Sequence, residues 1–364
     1  MKKWSLYMGS YDNIKVFIHW TFWIIIGWIF MLHFQKGHGW TEGLAGALFI
    51  LALFACVVLH EFGHALAAKK YGIPTRDITL YPIGGVASLD KMPDKPAQEL
   101  AVALAGPAVN VVIAGVLYFF LASSGKLIPI SEIDHMEGGD FWFNLMAANV
   151  ILAAFNLIPA FPMDGGRVLR ASLAFYMDKL RATKIAAGIG QFLAIVFVFL
   201  GFFTNFWLVF IGLFIYLGAG AEAMQESTKS ILLGYSARDV LIQQYTRLLP
   251  SESLEMAMKL FQNTLEQGFV VMQNDQAQGI LTRKELIKGL SEYEKYSPVS
   301  NVMRKDYIIL PPDMPLQEVY QKLLANNFSL APVLEDGEVI GIVDIKGINE
   351  LITVKKALKS QQFS

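Results

Sequence analysis

Cysteine, charge and any surplus of one sign are all scarce in this chain, and each scarcity excludes something. A single cysteine, Cys56, rules out an intramolecular disulfide framework and any zinc site built from several thiolates. Only 17% of the 364 residues are charged and 54% are hydrophobic, with a mean hydropathy of +0.43. That balance excludes the ordinary soluble class and puts the membrane class first. The formal net charge of -1 argues against nucleic acid or another polyanion as partner. The opening residues, MKKWSLYMGSYDNIK, lack a compact apolar core followed by a small-residue cleavage site. The first apolar run is therefore read as a retained span and not a cleaved leader.

What is present is a series of apolar stretches near the roughly 20 residues a bilayer crossing needs. About six qualify: Val16–His33, Leu44–Ala68, Leu100–Ala122, Phe141–Ile158, Ile185–Phe203 and Phe206–Met224. A short helix from Val168 to Met177 is expected after the Pro159/Pro162 break. Lys and Arg gather at one set of ends: Lys2, Lys3 and Lys15, then Lys69, Lys70 and Arg76, then Arg167, Arg170, Lys179 and Arg181, and finally Lys229 and Arg238. The opposite loops hold Lys36 and Lys126, and the longer carries Glu132, Asp134, Glu137 and Asp140. The positive-inside bias places both termini in the cytoplasm.

After about Gly234 the composition becomes that of a soluble α/β domain, and the sequence repeats itself. TLEQGFVVMQNDQAQGILTRKEL, from Thr264, aligns with ANNFSLAPVLEDGEVIGIVDIKGI, from Ala325, pairing Val271 with Val333 and Gly279-Ile280 with Gly341-Ile342. Each copy offers a helix (Leu254–Phe261, Leu316–Leu324), a strand, a polar turn, a second strand and another helix. Such repetition indicates two copies of one supersecondary unit sharing a core.

Within the second apolar stretch stands VVLHEFGHALAAKKYG, from Val57 to Gly72. Positions i and i+4 share a helix face, so His60 and His64 can present two imidazoles to one ion. Glu61 beside them can reach a water held there, completing the zinc-hydrolase pattern H-E-x-x-H. Zinc lowers the pKa of its water to roughly 7, and a glutamate base takes the proton. One ionisable residue in a span costs ~2.5–3.5 kcal/mol on insertion scales, so three together argue against accident. A third ligand is needed. His33, His38 and His135 lie on the wrong side, which leaves His19, Glu99, Asp164 and Glu222. Asp164 is favoured, because prolines break the chain before it in NLIPAFPMDGGRVLRA and broken helix at membrane depth lines protein or a cavity. The competing reading makes Asp164 the N-cap of the helix that follows. Cys56 and His19 are read as core packing and an interfacial residue, respectively.

HEFGHALAAKKYG, YPIGGVASLD, AGPAVN and FNLIPAFPMDGGRVLRA together resemble the site-2 protease family of intramembrane zinc metalloproteases. The chain is similar to its six-span subgroup, whose soluble tail is a pair of cystathionine-β-synthase (CBS) modules. The resemblance implies that His60, His64 and Asp164 bind one Zn²⁺ per chain, that Glu61 is the catalytic base, and that the substrate is a transmembrane segment of another protein. It also implies that Asn110 and Asn156 meet substrate backbone or the reacting carbonyl. The stretch Thr75–Lys91 reads as a short hairpin around Pro82 and Gly84-Gly85 that dips into the membrane and pairs with an unwound substrate. CBS modules that bind adenine nucleotides end their second strand with a hydroxyl residue followed by an aspartate. Here the first copy keeps Thr282 but has Glu285, and the second has Asp344 and Gly347 at those places. At most one such nucleotide site, at Thr282, is expected.

The expected fold is thus a polytopic α-helical membrane protein, of about six transmembrane helices with a short membrane-associated β-hairpin, plus a cytoplasmic α/β CBS pair. Its domains are 1–228 for the protease and 234–295 and 296–356 for the modules, in the cell membrane of a prokaryote, with homo-oligomers able to form through the CBS pair. The rival is a CBS-gated transporter or channel, which would need a polar path across the whole bilayer. The ionisable residues of the spans cluster in one half only.

Overall fold

The computed structural model describes residues 4–35, 39–82, 84–89, 92–125 and 141–361. The chain separates into two compact units, 1–224 and 225–364. Lys36, His38, Lys126, His135 and the acidic loop from Glu132 to Asp140 lie outside the described residues.

The first unit opens on strands and not on a span. β1 (Ser5–Tyr11) and β2 (Ile14–His19) form an antiparallel hairpin, and helix α1 (Phe22–Gln35) starts only after it. The apolar run expected to span from Val16 is therefore corrected: Val16, Phe17 and Ile18 belong to β2. The turn explains it, because Asp12 and Asn13 both have positive φ, 51° and 66°, the geometry of a two-residue hairpin turn. β3 (Thr75–Tyr81) and β4 (Gly84–Leu89) form the anticipated hairpin, and β3 pairs in parallel with β2 at Val16↔Ile78 and Ile18↔Leu80. The short hairpin is thus half of a four-stranded sheet ordered β1-β2-β3-β4, with β4 as an outer strand.

Helices α2 (Trp40–Lys69), α3 (Pro96–Ser123), α6 (Lys179–Phe203) and α7 (Trp207–Leu232) are long and apolar enough to cross a membrane. At 1.5 Å per residue, the 30 residues of α2 reach about 45 Å, against a hydrocarbon core of about 30 Å. α1 and α4 (Phe141–Asn156) are apolar but shorter. The outer faces of α3, α6 and α7 leave large side chains uncovered, among them Val112, Phe119, Phe192, Phe202, Phe203 and Trp207, as lipid-facing helices do. Inner faces are lined with small residues. A Cβ on Gly63 of α2 would lie 2.7 Å from the Ala105 carbonyl oxygen of α3, so the two backbones approach closely, in the manner of membrane helix pairs. α5 (Asp164–Leu173) begins four residues earlier than expected and ends at Leu173, after a turn through residues 157–163.

The second unit carries the repeat. In one copy α8 (Leu254–Asn263) precedes β6 (Gly268–Gln273), β7 (Gln276–Thr282) and α9 (Arg283–Glu292), with a short β5 (Arg247–Leu248) beside β6. In the other, α10 (Leu316–Ala325) precedes β8 (Leu330–Glu335), β9 (Glu338–Asp344) and α11 (Ile345–Gln361). Val271 pairs with Gly279 and Val333 with Gly341, and each hairpin has an irregularity directly afterwards. The turns Asn274-Asp275 and Asp336-Gly337 again take positive φ at both positions. The copies exchange segments: Ile242 bridges Ile342, and Arg304 bridges Ile280. Ile231, Leu232 and Ala237 are buried in the core built by α10, β8 and β9. The modules are sequential in the chain but interleaved in space.

Candidate metal centre

α2 carries His60 and His64 one turn apart, on the face it buries against α3. α5 brings in Asp164. The nitrogens Nε2 of His60 and His64 lie 3.1 Å apart, and Asp164 Oδ2 is 3.2 Å from the first and 3.0 Å from the second. All three side chains are buried. Among the described residues this is the one group of His, Cys, Asp or Glu side chains placed to hold a metal.

The hydrogen bonds behind the histidines fix their tautomers. The Leu145 carbonyl can only accept, so Asn149 Nδ2 donates to it at 2.8 Å, and Asn149 Oδ1 accepts from Asn110 Nδ2 at 2.9 Å. Asn110 Oδ1 must then accept from His60 Nδ1 at 2.5 Å. His64 Nδ1 likewise donates to the Val102 carbonyl at 2.7 Å. Both rings thereby point Nε2 at each other and at a carboxylate oxygen, and in their neutral form each offers a lone pair there. Three such atoms at 3.0–3.2 Å are held together by a shared cation, a proton or a metal ion. Tetrahedral zinc bonds of about 2.0–2.1 Å separate ligand atoms by roughly 3.3 Å, near the observed spacing. The donor set therefore fits that ion.

The backbone around the cluster is built without side chains. A Cβ on Gly106 of α3 would lie 2.2 Å from His64 Nε2 and 2.7 Å from His60 Nε2, and no rotamer change could remove it. A Cβ on Gly165 would meet the Ile158 carbonyl oxygen at 2.2 Å, and one on Gly166 the Ala160 carbonyl carbon at 2.6 Å. These glycines let α5 start directly beneath the turn. Its N-cap is Met163, with no side-chain capping bond, so Asp164 is a first-turn residue and the capping alternative is corrected.

The other expected residues fall as follows. Glu61 is half-buried under β4, where a Cβ on Gly85 would meet its Cγ at 2.8 Å. Gly84 faces open space at a φ of 137°. Asn110 is fully buried, with its oxygen on His60, which it orients, and its nitrogen on Asn149. Asn156 donates to Leu152 within its own helix at 3.0 Å. His19 Nδ1 contacts the Thr21 hydroxyl at 2.7 Å, while Glu99 and Glu222 are taken by Arg170, so none of these three alternatives joins the cluster. Cys56 is buried and stands apart from it. In the second unit, the Thr282 hydroxyl is engaged by Glu285 in a capping box that starts α9, and Asp344 Oδ1 accepts from Gly347 N at 2.7 Å at the start of α11. Gly106 and the pairing of Arg170 with Glu99 and Glu222 were not legible from spacing, since each acts across helices distant in sequence.

Apolar helices of spanning length around a buried His, His, Asp cluster with a glutamate beside it define a membrane metallohydrolase. The sequence model of peptidase family M50 matches residues 48–200, and that of the CBS domain matches residues 237–292 and 299–353. A zinc metalloprotease of Methanocaldococcus jannaschii is 35% identical over 86% of this chain and 87% of its own length. Rip3 of Mycobacterium tuberculosis is 28% identical over 95% of this chain and 92% of its own. A solved structure, the site-2 protease from M. jannaschii, covers 60% of this chain and 95% of its own at 39% identity, with a TM-score of 0.45. The chain belongs to peptidase family M50, as a zinc metalloendopeptidase of the site-2 protease type that carries a CBS pair.

Proposed function

We propose that His60, His64 and Asp164 hold one zinc ion per chain, that Glu61 is the general base, and that the bond cut lies within a transmembrane segment of another protein. The observation that carries this reading is the convergence of the Nε2 atoms of two histidines, whose Nδ1 atoms already have partners, on one buried carboxylate oxygen. When bound, zinc supplies Lewis acidity, making water acidic near neutrality and polarising a peptide carbonyl. The protein supplies the rest. Asn110 and the Val102 carbonyl hold both rings in the tautomer that offers Nε2. Glu61, one residue from a ligand and pressed beneath β4, accepts the proton of the attacking water and returns it to the leaving amine.

A helical substrate hides its carbonyls in i→i−4 bonds and must unwind first. β4 is an outer strand of its sheet and passes over Glu61 at Gly85, so a substrate segment pairing along it lies beside the base. Asn156 is placed by this reading at the substrate. The positive-inside bias favours cytoplasmic termini and a cytoplasmic CBS pair. We assign residues 1–228 to the protease and 234–295 and 296–356 to the modules, with the single nucleotide position at Thr282 and assembly through the pair as their further roles.

The test separates ligand from base. His64→Ala and Asp164→Ala should lose zinc and proteolysis together. Glu61→Gln keeps all three ligands and should retain zinc near one per chain while cleavage falls about 10²–10⁴-fold. Metal content by emission spectroscopy, beside cleavage of one reporter peptide, reads both. Glu61→Gln protein that holds zinc and cuts at the wild-type rate would overturn the assignment.

A further inference from the structure

We propose that Arg170 is a positioning residue for the metal centre, holding α5 so that Asp164 faces the histidines. The inference rests on the reading of Asp164 as a ligand. Arg170 lies on α5 two turns beyond Asp164 and is almost fully buried, at 2% exposure. Its guanidinium is shared between two helices. Nε and Nη2 reach Glu99 Oε1 of α3 at 2.7 and 2.5 Å, and Nη1 reaches Glu222 Oε1 of α7 at 2.5 Å. Lys179, at the start of α6, stands 3.8 Å from Glu99 Oε2, balancing the second negative charge. The guanidinium also lies 5.1 Å over the ring of Phe161, which is fully buried in the turn three residues before Asp164.

One side chain thus fixes α5 from three directions, and it does so beside the turn that delivers the ligand. The tuck of Gly165 and Gly166 under residues 157–161 fixes where α5 begins but does not tie its far end to α3. The planar fork of Arg170 does, and through Glu99 it ties α5 to the same helix that supplies Asn110 and Val102 to the two histidines. All three ligands are thereby referenced to α3. Lysine cannot reproduce the forked contact to Glu99 together with the contact to Glu222. The metal itself does not need Arg170 as a partner, so its influence passes through the position of Asp164.

Removing Arg170 alone would leave two carboxylates with only Lys179 beside them, so the decisive variant removes the guanidinium and both its acids, Arg170→Met with Glu99→Gln and Glu222→Gln, and Lys179 keeps Asp94. Zinc affinity is measured by chelator competition on the full chain in detergent, beside thermal unfolding of the metal-free protein and the ligand-field spectrum of the cobalt-loaded form. Asp164→Asn is the reference. The triple variant and Arg170→Lys should bind zinc about 10- to 100-fold more weakly, with a metal-free midpoint near wild type and a cobalt spectrum shifted toward that of Asp164→Asn. Wild-type affinity in the folded triple variant, with Asp164→Asn impaired, would overturn the proposal. So would an affinity loss that only tracks a lowered metal-free midpoint. Wild-type affinity in Asp164→Asn would instead sink the ligand reading. If the triple variant does not fold, Arg170→Lys is judged by the same outcomes.

Discussion

At the scale of single residues, the centre divides into what a linear pattern can show and what it cannot. His60 and His64 sit on one helix with Glu61 between them, and a spacing of four fixes the common face of the two histidines whatever surrounds them. Gly106 is different. Its importance comes from facing two histidines more than 40 positions earlier, across the α2–α3 contact. In an isolated helix, Gly106→Ala would stabilise by up to about 1 kcal/mol. Here it should abolish zinc binding, because the added methyl would occupy the space in front of both Nε2 atoms. Gly115→Ala, on the same helix with open space around it, is the control. Metal analysis should find Gly106→Ala essentially zinc-free and inactive, and Gly115→Ala loaded as wild type. Full zinc content in Gly106→Ala would mean that α3 does not lie where it is placed.

At the scale of elements, the repeat of the second unit is legible down to equivalent residues, because each copy sets a continuously apolar strand, a polar turn and a second apolar strand in the same order. The first unit was less transparent. Val16–Phe17–Ile18 run directly into the apolar α1, and hydropathy cannot divide a strand from a helix when both are apolar. The positive-φ pair Asp12-Asn13 was the available signal. The β3–β4 hairpin was legible, but its closeness to the base was not, since nothing in YPIGGVASLD names Glu61 as a neighbour. That contact carries its own expectation. Gly85→Ala should push the Glu61 carboxylate aside, lowering kcat by about tenfold or more with zinc retained, as misplacing a general base does. Steady-state kinetics with metal analysis checks it. An unchanged kcat would show that β4 does not constrain the base.

At the scale of the whole molecule, composition alone placed the chain in a membrane, and the apolar surfaces of α2, α3, α6 and α7 give that placement its physical form. Inward faces carry the polar groups in satisfied sets: the asparagine relay behind His60, the Val102 carbonyl behind His64, and Arg170 between two glutamates. Buried charge at that density is expensive unless paired and marks where chemistry is done. A site so enclosed would serve a soluble peptide poorly and an unwound membrane segment well. The most direct test reconstitutes the full chain in liposomes with a single-span reporter protein and maps the products by mass spectrometry. The new termini should fall inside the reporter's apolar stretch, vanish with a zinc chelator, return on adding zinc, and be absent with Glu61→Gln. Cuts confined to the reporter's water-exposed flanks, or intramembrane cuts that persist with Glu61→Gln, would contradict the account.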